Sequence, residues 1–348
     1  MNNSIVFIGS ISLKENVFGG ETIKNLYFLN YLKDNLGDRK LIVIDTYNWK
    51  KHFFKLLFKI SFNILNPFRK KIILSAADAG AYYLLKLYRM LNFFKKDLYY
   101  FILGGILPAV ILDNNYKISY YKNIKKMYCE VKKIEKEMGE LGFNNVEYIP
   151  NWKKFSYVNS IIIKDYSKIK KLRVFTFSRI NREKGTDLVF EVIKMLNING
   201  VSFEVDFFGV VDEDYKADFQ KQISEKEYFR YLNTIDLFDE NNYKILSQYD
   251  LMLFPTYHDG EGFPGTIIDC FIAGVPVIAS DWNHNSEIIE NKKTGFLFEA
   301  KSPKCLYDVL NHVYNNKHIL NVMRKNCVVE AQKYKIENLL SKFIKEIY

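Results

Sequence analysis

Between Thr256 and Glu299 the chain reads TYHDGEGFPGTIIDCFIAGVPVIASDWNHNSEIIENKKTGFLFE, and this stretch restricts the possible folds more than any other. A strand-like run from Asp250 to Pro255 leads into it, a Gly-Phe-Pro-Gly turn follows, and an apolar helical run extends from Ile267 to Ile272. A strand feeding a helix through a glycine turn is the repeating unit of parallel α/β sheets. Such a turn directs free backbone N–H groups and a helix N-terminus at one place, which suits a phosphate or the hydroxyls of a sugar. Two carboxylates, Glu261 and Asp269, bracket the turn. Glu261 belongs at its mouth and Asp269 on the first turns of the helix, so both can face one ligand spanning a diphosphate and two rings. That is the shape of a nucleotide-sugar.

The same alternation recurs along the chain. Strand-like runs at Ile5 to Ile8, Leu41 to Ile44, Ile72 to Leu74, Tyr99 to Leu103 and Val146 to Ile149 are separated by helical or loop segments, which predicts a parallel sheet. Gly19-Gly20 precedes a helical-period run from Glu21 to Leu29, completing a strand, glycine loop and helix. No G-x-G-x-x-G accompanies it, which argues against a dinucleotide dehydrogenase. A new first strand, Leu172 to Ser178, follows a Lys-rich stretch over 164–171, placing an interdomain link at about 150–170. Phe203 to Phe208, Tyr228 to Tyr231 and Asp250 to Pro255 supply further strands, and the end of the chain reads as two helices with Tyr334 between them. The length suits two domains of roughly 150 to 180 residues.

The second half opens on Ser178-Arg179-Ile180-Asn181-Arg182-Glu183-Lys184-Gly185. Arg179 and Lys184 on a strand-to-helix loop bring two cations and a helix N-terminus to one diphosphate. Asp212-Glu213-Asp214 matches a D-x-D metal motif in spelling, but it lies on an acidic loop, and we read it as surface.

Taken together, these residues resemble the family 4 glycosyltransferases of the GT-B fold. The resemblance rests on Glu261 and Asp269 in an E-x7-E pattern, on Ala273-Gly274-Val275-Pro276-Val277-Ile278, Glu287 and Thr294-Gly295-Phe296, on Arg179 and Lys184, and on Ile149-Pro150-Asn151. Asp269 stands where the family carries Glu, and Ser178 where glycine is commoner. The resemblance implies an α/β GT-B fold of two Rossmann-like domains facing across a cleft. An acceptor-binding domain is expected over 1–155, a nucleotide-sugar domain over 165–325, and a helix over 326–348 returning to the first domain. It implies a retaining, metal-independent hexosyl transfer from a nucleotide-sugar, expected to be a UDP-sugar, with no cofactor. Catalysis falls to Glu261, Arg179 and Lys184. Donor binding falls to Gly19, Gly20, Arg179, Lys184, Glu261, Gly262, Phe263, Gly265, Thr266 and Asp269, with Glu261 on the sugar and Asp269 on the ribose. Tyr99 to Gly105 and Asn144 to Asn151 are similar to bacterial capsule, exopolysaccharide or O-antigen transferases, which implies an undecaprenyl-diphosphate-linked glycan as acceptor. A nucleotide-sugar 2-epimerase or hydrolase on the same fold, and a noncatalytic polyanion- or lipid-binding protein, are the alternatives.

Charge is unevenly placed: residues 1–150 hold 23 Lys/Arg against 13 Asp/Glu, whereas the remainder balances at 27 against 27. Within the basic half, Lys51, Lys55 and Lys59 recur at helical spacing among Phe54, Leu57 and Phe58, and Arg69-Lys70-Lys71 follows. Basic residues interleaved with Phe and Leu predict docking on an anionic membrane surface rather than on nucleic acid. Cys129, Cys270, Cys305 and Cys327 have neither disulfide nor zinc-site spacing, as in a reducing compartment. Neither a signal peptide nor a transmembrane run is read, so the expected location is cytoplasmic, peripheral at the inner face of the cell membrane.

Overall fold

The computed structural model describes residues 4–15, 19–37, 40–113, 116–156, 162–200 and 202–348. They form two compact units, one of Met1–Lys154 with Ile336–Tyr348 and one of Phe155–Lys335. In unit 1 the order is β1 (Ser4–Gly9), α1 (Gly20–Leu36), β2 (Leu41–Asp45), α2 (Phe53–Leu65), β3 (Arg69–Ala77), α3 (Asp78–Leu91), β4 (Asp97–Leu103), α4 (Leu107–Asp113), β5 (Lys126–Cys129), α5 (Lys132–Glu140) and β6 (Val146–Tyr148). Unit 2 repeats the scheme with β7 (Leu172–Phe177), α6 (Thr186–Leu196), β8 (Phe203–Phe208), α7 (Lys216–Glu225), β9 (Phe229–Tyr231), α8 (Tyr243–Leu246), β10 (Leu251–Phe254) and α9 (Gly265–Ile272). It continues through β11 (Val277–Asp281), α10 (Asn285–Ile288), β12 (Gly295–Glu299), α11 (Pro303–Asn315) and α12 (Ile319–Ala331); α13 (Ile336–Ile347) then belongs to unit 1.

Each unit holds one six-stranded sheet, ordered β2-β1-β3-β4-β5-β6 and β12-β11-β10-β7-β8-β9, and every pairing is parallel. This is the two-domain α/β architecture expected of GT-B. Helices cover both faces of such sheets, so central strands read as continuous apolar runs. β4 shows it: Leu98 to Leu103 are all buried.

The expected boundary at residue 326 is corrected. Residue 326 falls inside α12, whose Leu320 and Met323 pack into the core of unit 2, and the segment that joins unit 1 starts ten residues later at Ile336. α13 is strongly amphipathic, with Ile336, Leu340, Phe343 and Ile347 on its buried side. The Phe343 ring meets Phe101 at 5.0 Å, Tyr128 at 5.4 Å, Tyr99 at 5.5 Å and Phe28 at 5.9 Å. Burying one such side chain contributes roughly 1.5–3 kcal/mol.

At the C-terminal ends of the unit 1 strands, polar groups are tied down. The Asn25 amide donates to the Ser10 carbonyl at 3.0 Å, and the Ser75 hydroxyl donates to Asn25 Oδ1 at 2.5 Å, linking α1 to the ends of β1 and β3. Lys24 and Glu130 form a buried ion pair, with the Lys24 ammonium 4.2 Å from the Trp152 ring centroid. Burial holds the Lys24 pKa below its usual value, and Glu130 opposes that shift.

Candidate active site

Strand order decides where a ligand fits in an open parallel sheet: in the crevice outside the carboxyl ends of the strands, where the order reverses. In unit 2 that point lies between β7, which continues to β8 and β9, and β10, which continues to β11 and β12. The segments leaving those two strands are Ser178 to Gly185 and Pro255 to Gly265, the two singled out from sequence.

The first loop is built around Asn181. Its Oδ1 accepts from the Lys184 amide at 2.9 Å, its amide donates to Asp212 at 2.9 Å, and its carbonyl accepts from the Thr186 hydroxyl at 2.9 Å. Gly185, the N-cap of α6, has φ +74°, and a Cβ there would lie 2.2 Å from the Pro255 carbonyl oxygen. Only glycine lets this loop press against the end of β10. The Tyr257 amide then donates to the Glu183 carbonyl at 2.8 Å, and the His258 ring pairs with the Glu183 carboxylate at 2.6 Å.

These contacts bring Lys184 and Glu261 into a direct ion pair, although 77 residues separate them; their side chains are only 15% and 14% exposed. The Thr256 hydroxyl also donates to Glu261, at 3.2 Å. The cation expected at the diphosphate and the carboxylate expected at the sugar therefore occupy one spot. Arg179 is more open, with a side chain 65% exposed and its guanidinium 3.6 Å from Asp212. Asp212 thus braces this loop through Arg179 and Asn181.

The turn itself is anchored by Phe263, buried with its ring 5.5 Å from Tyr334, while Gly262 beside it is half-buried. Gly265 and Thr266 open α9. The Thr266 hydroxyl is buried and has no hydrogen-bond partner among the described residues. Asp269, on the next turn, is 2% exposed, and the Tyr243 hydroxyl donates to its Oδ1 at 2.8 Å. Sequence reasoning found the two acids but missed Thr256, Asn181 and Tyr243. Thr256 carried the only visible signal, as the residue following a buried strand.

Gly19 and Gly20 lie in unit 1, as the N-cap and first residue of α1; the Gly19 amide donates to the Thr22 hydroxyl at 2.7 Å. The predicted membrane-docking residues divide. Lys51 lies in the turn before α2, and Lys55 and Lys70 are exposed. Lys59 donates to the Val43 carbonyl at 2.8 Å, and half-buried Arg69 opens β3. Lys71 is a correction: its ammonium donates to the Ile347 carbonyl at 2.9 Å and so caps α13 instead of projecting outward. What sequence undervalued is the apolar part. Phe54, Phe58 and Phe62, spaced by four along α2, are 83%, 75% and 56% exposed. No helix among the described residues is long and apolar enough to cross a membrane.

Comparison with known proteins gives the chain its relatives. Amylovoran biosynthesis glycosyltransferase AmsK of Erwinia amylovora is 25% identical over 144 residues, 40% of this chain and 35% of that protein. A UDP-Gal:alpha-D-GlcNAc-diphosphoundecaprenol alpha-1,3-galactosyltransferase of Escherichia coli is 34% identical over 83 residues, 24% of this chain and 21% of that protein. The matched stretches thus span only about a third and a fifth of those relatives' lengths. Among solved structures, Anabaena Alr3699/HepE in complex with UDP superposes with a TM-score of 0.75 at 15% identity, over 99% of both chains. The apo lipopolysaccharide outer core galactosyltransferase WaaB gives 0.71 at 13% identity, again over 99% of both chains. At those identities the likeness is one of fold. The sequence profile described as glycosyl transferases group 1 matches residues 160–333, half of the chain and nearly all of unit 2. The segments that carry Arg179, Lys184, Glu261 and Asp269 all lie inside that match, and the chain belongs to the group 1 glycosyl transferases.

Proposed function

We propose that this glycosyltransferase moves a hexosyl unit from a UDP-sugar to a lipid-linked saccharide in bacterial surface polysaccharide synthesis, with retention at the anomeric carbon. The observation that carries the reading is the Lys184–Glu261 pair at the β7/β10 crevice, beside the N-terminus of α9. Structures similar to this chain include HepE in complex with UDP and with UDP-glucose, and the Escherichia coli relative is named for an undecaprenyl-diphosphate-linked acceptor. Those names support the choice of donor and acceptor class.

In the proposed reaction the bond from the anomeric carbon to the diphosphate oxygen breaks, and a bond to the acceptor oxygen forms on the same face. The departing oxygen takes the acceptor's proton. The protein's task is then to position the sugar and stabilise the leaving charge. Arg179 and Lys184 neutralise the diphosphate, and the amides of Phe263, Gly265 and Thr266 point donors at it. Gly262 gives the sugar room. Glu261 holds sugar hydroxyls, and Asp269, oriented by Tyr243, holds the ribose. Because side chains carry the counter-charge, no metal or other cofactor is needed, and transfer is expected to persist in excess EDTA.

Kinetics separates the two acids. Glu261→Gln is expected to depress kcat, while Asp269→Ala is expected mainly to raise KM for the UDP-sugar. Wild-type affinity for UDP in Asp269→Ala, measured by calorimetry, is the result that removes the ribose role. Absence of UDP binding by the wild-type chain is the result that removes the whole reading.

The acceptor's lipid gives the α2 surface a purpose, and we place the enzyme at the cytoplasmic face of an anionic membrane. The exposed Phe54, Phe58 and Phe62 supply apolar area to the headgroup layer, and Lys51 and Lys55 supply charge beside them. Cosedimentation with vesicles containing acidic lipid should fall with salt and be lost in Phe54→Ser/Phe58→Ser. Replacing Lys51, Lys55 and Lys59 with Gln should weaken it by about 1 kcal/mol per residue. Equal binding to neutral vesicles, or none to acidic ones, contradicts the placement.

A further inference from the structure

Lys184 and Glu261 reach one another from two loops, and each loop has its own brace. Lys184 is held through Asn181, whose Oδ1 accepts from the Lys184 amide. Glu261 ends a turn that begins at His258 and is closed by the Glu261 amide donating to the His258 carbonyl at 3.1 Å. Asp259 and Gly260, in the middle of that turn, are exposed. A surface turn that contains glycine and closes on one backbone hydrogen bond has many conformations unless other groups fix it. The fixing groups come from the end of β11. The side-chain amide nitrogen of Asn283 lies 2.9 Å from the Asp259 carbonyl oxygen, 3.2 Å from that of Glu261 and 3.3 Å from that of His258, and shares its two hydrogens among them. The Trp282 indole N–H donates to the His258 carbonyl at 3.1 Å, and the Ser280 hydroxyl donates to the Thr256 carbonyl. The Lys301 ammonium lies 5.2 Å from the Trp282 ring centroid and 4.9 Å from that of Tyr257, which steadies the indole. Asn283 itself has φ +48°, a left-handed conformation that asparagine adopts more readily than most residues.

The carbonyls of Thr256, His258, Asp259 and Glu261 thus all accept from side chains between Ser280 and Asn283. Carbonyls only accept, so the brace must be made of donors, and an aspartate could not replace the asparagine. We propose that Asn283 is a positioning residue for Glu261. Its amide holds the turn where the Glu261 carboxylate meets Lys184 and the donor sugar, and Trp282 is a second donor to the same turn. Asn283 reaches the reaction only through Glu261, and the gain is one of geometry: a carboxylate displaced by about 1 Å holds the sugar out of line, at a cost on the order of a hundredfold in rate. The proposal rests on the transferase reading above and adds to it the group that keeps Glu261 in place.

The test uses the full chain, a UDP-sugar, and a synthetic α-GlcNAc-diphosphate on a short alkyl chain as acceptor probe. Transfer to this probe and UDP binding by the wild type belong to the functional reading, and their failure is read there, before any variant is made. Asn283→Gly keeps the left-handed backbone accessible and removes the amide, whereas Asn283→Asp keeps the size and loses the donor. Both are expected to lower kcat at least about tenfold. The Kd for UDP, which lacks the sugar that Glu261 holds, should stay within about twofold of wild type. In a Glu261→Ala background nothing remains to be positioned, and Asn283→Gly should lower kcat by less than about twofold more. A full tenfold loss in that background, an unchanged kcat in both single variants, or a loss of UDP affinity matching the loss of kcat each overturns the proposal. A second readout needs no turnover. Lys184→Ala and Glu261→Gln remove one ion pair, so their effects on the urea midpoint are coupled, and the coupling should shrink in Asn283→Gly. Undiminished coupling means that the turn keeps its place without the amide, and overturns the proposal whatever the reaction.

Discussion

Replacing Lys184 with alanine is expected to lower transfer from the UDP-sugar by roughly two to three orders of magnitude, about 3–4 kcal/mol at the transition state. Two losses add. The diphosphate loses a cation where charge develops, and Glu261, whose side chain is 14% exposed, loses its ion-pair partner. A buried carboxylate left alone is costly, so the urea midpoint should fall as well. Arg179→Ala provides the contrast. That side chain is 65% exposed and its ion pair with Asp212 is open to water, so turnover should fall to a similar extent while stability stays near wild type. Combining Lys184→Ala with Glu261→Gln should cost less stability than the sum of the two single changes, because both remove the same pair. Full activity in Lys184→Ala would end the assignment of the diphosphate site.

A second large effect is expected from Gly185→Ala, a change of one methyl group. The backbone there is left-handed, φ +74°, and the new Cβ would lie 2.2 Å from the Pro255 carbonyl oxygen and 2.8 Å from the carbonyl carbon. Neither atom belongs to a flexible side chain that could turn away. Conformational strain and overpacking together are expected to cost about 3 kcal/mol or more. The cheapest relief is for the Asn181 to Gly185 loop to lift from the end of β10, which separates Lys184 from Glu261. KM for the donor should therefore rise together with the loss of stability. Gly139→Ala is the matched control: it lies in α5 with nothing near its Cβ, and the change should stabilise by about 0.4–1 kcal/mol. Equal urea midpoints for Gly185→Ala and wild type would mean that the loop does not press on the strand.

Much of this arrangement is legible in the residue order, for physical reasons. Central parallel strands are buried on both faces, so Tyr99 to Leu103 or Leu251 to Phe254 stand out as unbroken apolar runs. Glycine and proline mark the turns of the donor loops because few other residues fit them. β5, Lys126–Cys129, escaped detection because four residues starting with a lysine carry no period. The Lys184–Glu261 pair was out of reach for a different reason. It depends on β10 lying beside β7 instead of beside β9, and strand order is a property of the whole sheet. Burial of Asp269 under Tyr243 is likewise a tertiary contact between two helices. On α2, sequence spacing revealed the lysines, but only the fold shows which phenylalanines remain uncovered.

The placement of α13 sets an order of events during synthesis. Phe343 lies among Phe28, Tyr99, Phe101 and Tyr128, so the core of the part made first includes residues made last. Unit 2 is continuous from Phe155 to Lys335 and has every residue of its core before the ribosome reaches Ile336. Unit 1 must wait, holding an uncovered aromatic surface while some two hundred further residues emerge. Contacts of such long sequence separation form late and leave intermediates prone to aggregation. The N-terminal unit is therefore the last to finish folding, and a ribosome that stalls before α13 releases a chain with one complete unit and one open core.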